Sequence, residues 1–271
     1  MTRGRAAVLG SPIAHSLSPV LHAAAYAELG LDWTYEAIEC DAPALPSTLD
    51  RLAETHRVLS LTMPLKEAVL PLLDDLAPDA RTLGAVNTVL FDDGRRLGAN
   101  TDVVGVLAAL DELGADPAGQ RVALLGAGGA ARAVLAALAA RDVGPVAVVV
   151  REPARADGLR ALAGTLGVSI TVRGWSLEAL AGQALVISAA PQVAVPAEWV
   201  WPAGAALLDL VYAPWPTPLA ELAEAAGARV IGGLPMLVAQ AAEQVRLMTG
   251  RQPPVEEMRR AGEAALRARV G

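Results

Sequence analysis

The second half of the chain alternates short apolar runs with amphipathic stretches. Strands and helices alternating at this length predict a parallel sheet with helices on both faces, and right-handed crossovers make such a sheet doubly wound. The predicted strands are residues 120–125, 146–150, 169–172, 184–188, 205–210 and 229–231, and the predicted helices are residues 132–141, 153–166 and 218–226.

The first half of the chain alternates in the same way and therefore predicts a second α/β domain. Ser18 is expected to cap the first helix, with Pro19 in its first turn. The last two helices have no strand after them and are expected to return to the first domain. The predicted strands are residues 5–9, 33–39, 58–62 and 86–91, with a turn at 92–94; the predicted helices are residues 19–29, 44–54, 65–73, 102–113, 237–248 and 254–270.

A glycine-rich turn follows the strand at 120–125 and leads into an alanine-rich helix. Gly126, Gly128 and Ala131 fit the G-x-G-x-x-A pattern in the strand–turn–helix context that it requires. The first glycine permits a tight turn, the second lets backbone N–H groups approach a pyrophosphate, and the small third residue lets the helix pack closely on the strand. The phosphates then lie at a helix N-terminus, where unpaired N–H groups favour an anion. This predicts a dinucleotide site.

The choice between NAD and NADP is made at the end of the next strand. NAD enzymes usually carry an acidic residue there for the ribose hydroxyls. Here Arg151 and Arg155 follow the strand and offer charge-assisted hydrogen bonds to a 2′-phosphate, which favours NADP. Glu152 lies between them and would repel that phosphate if it turned inward.

Composition excludes several classes of protein. The net charge of −7 and the absence of any Lys/Arg stripe argue against nucleic acid. No apolar run is long enough for a membrane span, and nothing at the N-terminus indicates export. The single cysteine, Cys40, excludes an internal disulfide and a multi-cysteine metal site, so we expect no metal and a reducing cytoplasm.

Lys66 is the only lysine among 22 basic residues. Where arginine has replaced lysine wherever charge alone matters, a surviving lysine is a candidate for chemistry that arginine cannot perform. Arginine cannot donate a proton because its pKa stays above about 12. Lys66 lies in the segment 60–66, where a predicted strand ends and a predicted helix begins, and such turns are where open α/β sheets place ligands. A leftover surface lysine is the alternative interpretation.

Three further segments carry candidate substrate groups. Ser16 and Ser18 precede a helix, and both hydroxyls can face one small anion. The only two asparagines, Asn87 and Asn100, both stand in Asn-Thr pairs, and Asp102 follows the second pair. Asparagine supplies a donor and an acceptor, which suits a polyol, although each asparagine taken singly is also explained as a turn residue.

Together these motifs resemble the shikimate dehydrogenase family over nearly the whole chain. The resemblance is carried, in order, by Pro12-Ile-x-His-Ser-x-Ser-Pro19, Thr62-Met-Pro-x-Lys66, Gly84-Ala-Val-Asn-Thr88, Asn100-Thr-Asp102, Gly126-Ala-Gly-Gly-Ala-Ala-Arg132, Asp209-Leu-Val-Tyr-x-Pro214 with Thr217-Pro-Leu219, and Gly233-x-x-Met-Leu-Val-x-Gln240.

The resemblance implies NADP-dependent reduction of 3-dehydroshikimate, and it implies two domains. Residues 1–101, joined by helices at 238–271, form the substrate domain, and residues 102–237 form a Rossmann-type NADP-binding domain that begins with a linking helix. A small-molecule substrate is implied and a monomer or homodimer is expected.

The resemblance also implies roles for individual residues. Lys66 and Asp102 are the implied acid–base pair. Ser16 and Ser18, with Tyr212 nearby, would bind a carboxylate. The groups for the ring hydroxyls would be Thr62, Asn87, Asp102 and Gln240, with Ser60 as a further candidate. The implied cofactor residues are Gly126, Ala127, Gly128, Gly129, Ala130, Ala131, Arg151, Arg155 and Gly233.

The sequence departs from the family pattern at three places. Ser60 stands where asparagine is usual, so a ring-hydroxyl contact is shortened or replaced by water. Ala23 replaces a common asparagine, and residues 150–152 replace Asn-Arg-Thr at the 2′-phosphate. Two alternatives stay open: an NAD-linked quinate/shikimate dehydrogenase, and a non-catalytic sensor of nucleotide and a cyclic acid.

Overall fold

The computed structural model describes residues 4–190, 195–196 and 199–270. The chain forms two compact units. One unit contains the described residues up to Thr101 together with those from Leu237 onward, and the other is Asp102–Met236. Residues 1–3 and 271, at the ends of the expected domains, lie outside the described residues. Among the described residues, no helix combines the length and apolar character needed to cross a membrane.

The first unit begins with six strands and four helices. In chain order they are β1 (Gly4–Gly10), α1 (Ser18–Glu28), β2 (Trp33–Glu39), α2 (Leu45–Ala53), β3 (Val58–Leu61), α3 (Leu65–Ala68), β4 (Asp75–Leu76), α4 (Pro78–Leu83), β5 (Thr88–Asp92) and β6 (Arg95–Ala99). Their sheet has the order β2-β1-β3-β5-β6-β4. β5 is antiparallel to both its neighbours, and the other pairs are parallel.

The second unit contains a parallel sheet. Its elements are α5 (Asp102–Leu113), β7 (Val122–Leu125), α6 (Gly129–Ala139), β8 (Val146–Val149), α7 (Asp157–Leu166), β9 (Ile170–Arg173), β10 (Leu185–Ser188), β11 (Ala206–Asp209), α8 (Pro218–Ala225) and β12 (Val230–Ile231). The strand order β12-β11-β10-β7-β8-β9 is that of a Rossmann sheet, with β7 first in the chain and at the centre. The predicted doubly wound parallel sheet is confirmed.

Two long helices complete the chain, α9 (Leu234–Thr249) and α10 (Val255–Val270). α10 packs against α1. In addition, the Tyr26 hydroxyl donates to the Met248 sulfur at 3.3 Å, and the Arg251 guanidinium donates to the Leu29 carbonyl at 2.8 Å. The prediction that the C-terminal helices return to the first domain is confirmed.

Several predicted elements need correction. The helix expected over 65–73 ends at Ala68 and is followed by a 3-10 turn at Leu70–Leu72. Pro71 lies in that turn and has no N–H to continue an α-helix. β4, α4 and β6 were not predicted, because β4 has only two residues and β6 begins with two arginines. The expected turn at 92–94 closes the β5–β6 hairpin, with positive φ at Asp93 and Gly94.

Candidate active site

The candidate substrate segments meet at one edge of the first sheet. The carboxyl ends of the parallel strands β1 and β3 lie there. β1 is followed by the serine segment (residues 11–18), and β3 is followed by the lysine turn (residues 62–66). Because β5 runs antiparallel, its first residue, Thr88, pairs with Ser60 near the end of β3 and with Ala99 at the end of β6. Asn87 therefore lies at the same edge as Lys66 and Thr101.

The serine segment starts α1 differently from the prediction. The N-cap residue is Leu17, and Ser18 is already the first residue of the helix. The hydroxyl oxygen of Ser16 instead accepts from the Ser18 N–H at 3.2 Å. The predicted cap by Ser18 is therefore wrong, because the helix already begins at Ser18 and no side chain caps it. Ser18 is buried and Ser16 partly exposed.

The lysine turn is fixed by backbone hydrogen bonds. Thr62 N–H donates to the Leu9 carbonyl at 2.9 Å, and the Thr62 carbonyl accepts from Leu65 N–H at 2.8 Å. The Lys66 carbonyl accepts from Val86 N–H at 2.8 Å, which ties the start of α3 to the segment before Asn87. Lys66 itself is partly exposed.

Gly10 at the end of β1 lies against the lysine turn, and none of the motifs marked it. A Cβ on Gly10 would lie 2.3 Å from Thr62 Cγ2 and 3.0 Å from the Met63 carbonyl oxygen. Only glycine lets β1 end this close to the lysine turn. The sequence feature that could have marked Gly10 is its position as the last residue of a buried strand, directly before the serine segment.

Asn87 is buried among hydrogen-bond partners. Its Oδ1 accepts from Thr101 N–H and from the Thr88 hydroxyl, each at 2.9 Å. Its Nδ2 donates to Thr101 Oγ1 at 2.9 Å, with Gln240 Oε1 farther away at 3.4 Å. Gln240 Nε2 donates to the Leu237 carbonyl within α9. The structure thus brings the predicted residues Asn87 and Gln240 together.

Ser60 is joined to this group by two residues that the motifs did not mark. The Tyr35 hydroxyl donates to Ser60 Oγ at 2.7 Å, and Ser60 donates to Gln244 Oε1 at 3.1 Å. Gln244 Nε2 donates to Thr88 Oγ1 at 2.9 Å and to the Asn87 carbonyl at 3.3 Å. Burial raises the pKa of Tyr35, against smaller lowering effects of its hydrogen bonds to Ser60 and Ser18.

His22 lies beside this group on α1. Its ring stacks on that of Tyr35 with centroids 4.0 Å apart, and Nδ1 lies 2.9 Å from the Ser18 carbonyl oxygen. Since a carbonyl only accepts, Nδ1 carries a proton at this contact. Burial lowers the pKa of His22 to about 4, and the hydrogen bond to Ser18 opposes that shift. His22 is therefore uncharged near neutral pH.

In the second unit, the glycine loop turns tightly between β7 and α6 and is open on one side. Gly126 has a φ of 102°, and a Cβ there would lie 3.2 Å from the Ala189 carbonyl carbon. A Cβ on Gly128 would meet no heavy atom of the described residues within 4 Å, so this side of the loop is open. Gly128 is the N-cap of α6 and offers no side-chain oxygen to its first N–H groups. Ala131 is fully buried against the sheet.

The two predicted phosphate-binding arginines are exposed at the end of β8. Arg155 pairs with Glu152, with Nε and Oε2 3.6 Å apart. Both side chains are about three-quarters exposed (77% and 75%), so the pair is open to solvent. Glu152 is thus already engaged with one of the groups proposed to hold a 2′-phosphate.

Asp209 anchors the segment that carries Tyr212. Its Oδ2 accepts from the Thr217 hydroxyl at 2.7 Å and its Oδ1 from Val211 N–H at 3.2 Å. Burial raises the pKa of Asp209, and these hydrogen bonds oppose the shift. Thr217 also caps α8. Tyr212, partly exposed, lies within this segment.

Gly233 and Asp102 complete the set of predicted residues. A Cβ on Gly233 would lie 2.1 Å from the Leu210 carbonyl oxygen, so close chain approach requires a glycine there. Asp102 is the first residue of α5 and is buried. Asp102, Tyr212 and Gly233 belong to the second unit, whereas Lys66 and the serine pair belong to the first.

Comparisons with known proteins match both units. The family model "Shikimate dehydrogenase substrate binding domain" matches residues 8–89, and "Shikimate 5'-dehydrogenase C-terminal domain" matches residues 233–261. The shikimate dehydrogenase (NADP(+)) of Moorella thermoacetica is 40% identical over 99% of this chain and 95% of its own length. That of Thermus thermophilus is 43% identical over 97% of this chain and 98% of its own length.

Solved structures agree with these matches. Shikimate 5-dehydrogenase from Thermus thermophilus in complex with NADP(H) and shikimate superposes with a TM-score of 0.86 at 42% identity, covering 97% of this chain and all (100%) of that one. The ligand-free 5-ketofructose reductase of Gluconobacter sp. strain CHM43 has a TM-score of 0.80 at 28% identity, covering 98% of this chain and 99% of that one.

The parallel sheet with its glycine loop defines the class as α/β proteins with a Rossmann-type dinucleotide-binding unit. Sequence identities of 40% and 43% to the two relatives, over nearly the full length of the chain, then identify the family. The chain belongs to the shikimate dehydrogenase family.

Proposed function

We propose that this chain catalyses the reversible, NADPH-dependent reduction of 3-dehydroshikimate to shikimate, a step in aromatic amino-acid biosynthesis. The observation that carries the proposal is the likeness, over 97% of the chain, to the Thermus enzyme solved with NADP(H) and shikimate. In this role the enzyme works as a monomer or homodimer in the cytoplasm.

The proposed substrate site uses the edge of the first sheet. Ser16 and Ser18 bind the carboxylate, with Tyr212 as a further partner. Thr62, Asn87, Asp102 and Gln240 bind the ring hydroxyls. The convergence of the serine segment, the lysine turn and Asn87 at one sheet edge supports this arrangement.

Lys66 and Asp102 are the proposed acid–base groups. The reduced nicotinamide, when bound, supplies the hydride for the ketone carbon. The ammonium of Lys66 stabilises the negative charge that develops on the ketone oxygen and donates a proton to it. The Asp102 carboxylate is the second proposed acid–base group and acts at the substrate hydroxyl.

The residues of the glycine loop fit a dinucleotide. The open side of Gly128, and the start of α6 without a side-chain cap, support binding of the pyrophosphate by residues 126–131. Arg151 and Arg155 are proposed to hold the 2′-phosphate of NADP, and Gly233 is proposed to contact the cofactor. The relatives named as NADP(+) enzymes support this choice.

A spectrophotometric assay that crosses shikimate or quinate with NADP⁺ or NAD⁺ tests the proposal. We expect the highest kcat/KM with shikimate and NADP⁺. Highest efficiency with quinate and NAD⁺ would instead identify an NAD-linked quinate/shikimate dehydrogenase. Binding of both ligands without turnover would identify a sensor. 5-Ketofructose with NADPH is added as a further arm because the Gluconobacter reductase shares the fold.

A further inference from the structure

A chain of hydrogen bonds, here called the Tyr35 relay, runs from β2 to the residue before β5. Tyr35 donates to Ser60, Ser60 to Gln244, Gln244 to Thr88 and Thr88 to Asn87, with distances of 2.7, 3.1, 2.9 and 2.9 Å. The relay joins three strand segments to α9. Ser60, Gln244, Thr88 and Asn87 are buried.

Two backbone groups fix the direction of the relay. The Asn87 carbonyl oxygen can only accept, so the nitrogen of the Gln244 amide faces it and the oxygen faces Ser60. Thr101 N–H can only donate, so Asn87 turns its oxygen toward it. With both amides oriented in this way, the Ser60 and Thr88 hydroxyls must donate in the same direction.

This direction decides what Ser60 and Asn87 can offer a ligand. Ser60 has one hydroxyl proton, and it is used in the hydrogen bond to Gln244 Oε1. Asn87 Oδ1 accepts from two donors, Thr88 and Thr101, which fixes the orientation of its amide. The Asn87 amide nitrogen donates one N–H to Thr101 Oγ1 at 2.9 Å. Its second N–H faces Gln240 Oε1 at 3.4 Å, the other amide assigned to the ring hydroxyls, and is the group that a substrate hydroxyl would meet. The relay therefore presents Asn87 to a substrate hydroxyl as a donor and not as an acceptor.

We propose that Tyr35 and Gln244 are positioning residues of the substrate site, which hold Asn87 as a hydrogen-bond donor to the substrate. Ser60, which the sequence marked as a substrate-binding residue, serves the relay and donates no hydrogen bond to the substrate. This proposal rests on the proposed function, because it assigns Asn87 to a substrate hydroxyl.

The first test is steady-state kinetics of Gln244→Met, Ser60→Ala and their double variant. Gln244→Met leaves the Thr88 hydroxyl oxygen without its donor and the Ser60 hydroxyl without its acceptor, whereas the Asn87 carbonyl keeps the Leu61 N–H at 2.8 Å. We expect KM for shikimate to rise about tenfold, as for loss of roughly one buried hydrogen bond, while kcat and KM for NADP⁺ change by less than about threefold. Arg246→Gln, on an exposed position of α9, is the matched control and is expected to leave all three constants unchanged.

Coupling between the variants separates a relay from two independent contacts. If Ser60 acts through Gln244, the double variant has nearly the same KM as Gln244→Met alone. Tyr35→Phe, which keeps the ring stacked on His22, should raise KM in the same direction by a smaller factor. Additive effects of Ser60→Ala and Gln244→Met, or equal rises in KM for both substrates, contradict the proposal.

A second readout does not depend on activity. Because the relay holds Asn87 Oδ1 against Thr101 N–H, Gln244→Met should speed hydrogen exchange of the Thr101 amide, whereas Arg246→Gln should not. An unchanged exchange rate in Gln244→Met overturns the relay. A wild-type protein that turns over no shikimate overturns the proposed function instead, and the exchange measurement still decides whether the relay positions Asn87.

Discussion

Asn87 holds Thr101 by two hydrogen bonds of 2.9 Å each, one from the Thr101 N–H to Oδ1 and one from Nδ2 to Thr101 Oγ1. Both residues are buried, and Thr101 directly precedes Asp102 in the chain. This double contact fixes the point at which β6 has ended and α5 is about to begin. One asparagine therefore links the start of β5 to the segment that carries the proposed carboxylate.

Replacing Asn87 by alanine should weaken the fold as well as substrate binding. The variant leaves the buried Thr101 N–H without its acceptor, which costs about 1–3 kcal/mol. We expect a loss of about 2–3 kcal/mol in the free energy of unfolding, measured by denaturant titration. Asn100→Ala, which removes a half-buried donor to the Ala85 carbonyl, should cost about 1 kcal/mol. Equal losses in the two variants would contradict the role given to Asn87.

Lys66→Ala should lower kcat by about 10²–10⁴-fold with little change in substrate binding, because a general acid contributes on that scale. Lys66→Arg should be nearly as poor, since the guanidinium keeps the charge but does not release a proton. The measurement is steady-state kinetics together with calorimetric titration of shikimate. Near-normal turnover by the arginine variant would remove Lys66 from the mechanism.

Gly10→Ala should displace the lysine turn. The new Cβ would lie 2.3 Å from Thr62 Cγ2, and such overpacking costs about 1–3 kcal/mol. We expect lower thermal stability and a raised KM for shikimate, because Thr62 must move. Gly164→Ala is the matched control, since a Cβ there meets no described atom within 4 Å and the residue lies inside α7. That variant should gain about 0.5–1 kcal/mol of stability. A neutral Gly10→Ala would show that the turn tolerates the shift.

Acid should destabilise the protein through His22. Its pKa falls from 6.5 to about 4 on folding, so between these values the unfolded chain binds a proton that the folded chain does not. The contribution of this pKa shift to the free energy of unfolding is complete above about pH 6.5. It is lost as the pH falls toward 4, and it amounts to up to about 3 kcal/mol in total. In His22→Asn, whose amide keeps a donor for the Ser18 carbonyl, the free energy of unfolding should depend less steeply on pH in this window. An unchanged slope would show that His22 is protonated in the folded state.

The fold was largely predictable from local pattern, especially in the second unit. The strands β7, β8, β10 and β11 are buried four-residue strands, apolar except for Ser188 and Asp209 at the ends of the last two, so each is visible without knowledge of its neighbours. β6 was not visible, because Arg95 and Arg96 lie near the edge of the sheet, where charged residues are tolerated. Its pairing with β5 depends on the hairpin turn more than on hydrophobicity.

The site was predictable only where motifs mark it. Ser16, Lys66 and Asn87 stand out by type and spacing, and the structure places all three segments at one sheet edge. Gln244 and Tyr35 do not stand out, because one is a polar residue in a long helix and the other a tyrosine in a strand. Their role comes from contacts with Ser60, 184 and 25 residues away in the chain, and no local pattern encodes such contacts.

Cofactor preference should respond to Glu152. Its carboxylate pairs with Arg155, so it competes with a 2′-phosphate for the same guanidinium. Glu152→Gln should therefore raise the ratio of kcat/KM for NADPH to that for NADH. The rise should be no more than about fivefold, because an exposed ion pair is worth about 0.2–1 kcal/mol.

Arg155→Gln should lower the same ratio, since it removes a charge-assisted partner of the phosphate. The NADH efficiency is the internal control and should stay nearly constant in both variants, because NADH has no 2′-phosphate. If Glu152→Gln leaves the ratio unchanged while Arg155→Gln lowers it, Glu152 does not compete for Arg155. If neither variant moves the ratio, the phosphate is held elsewhere.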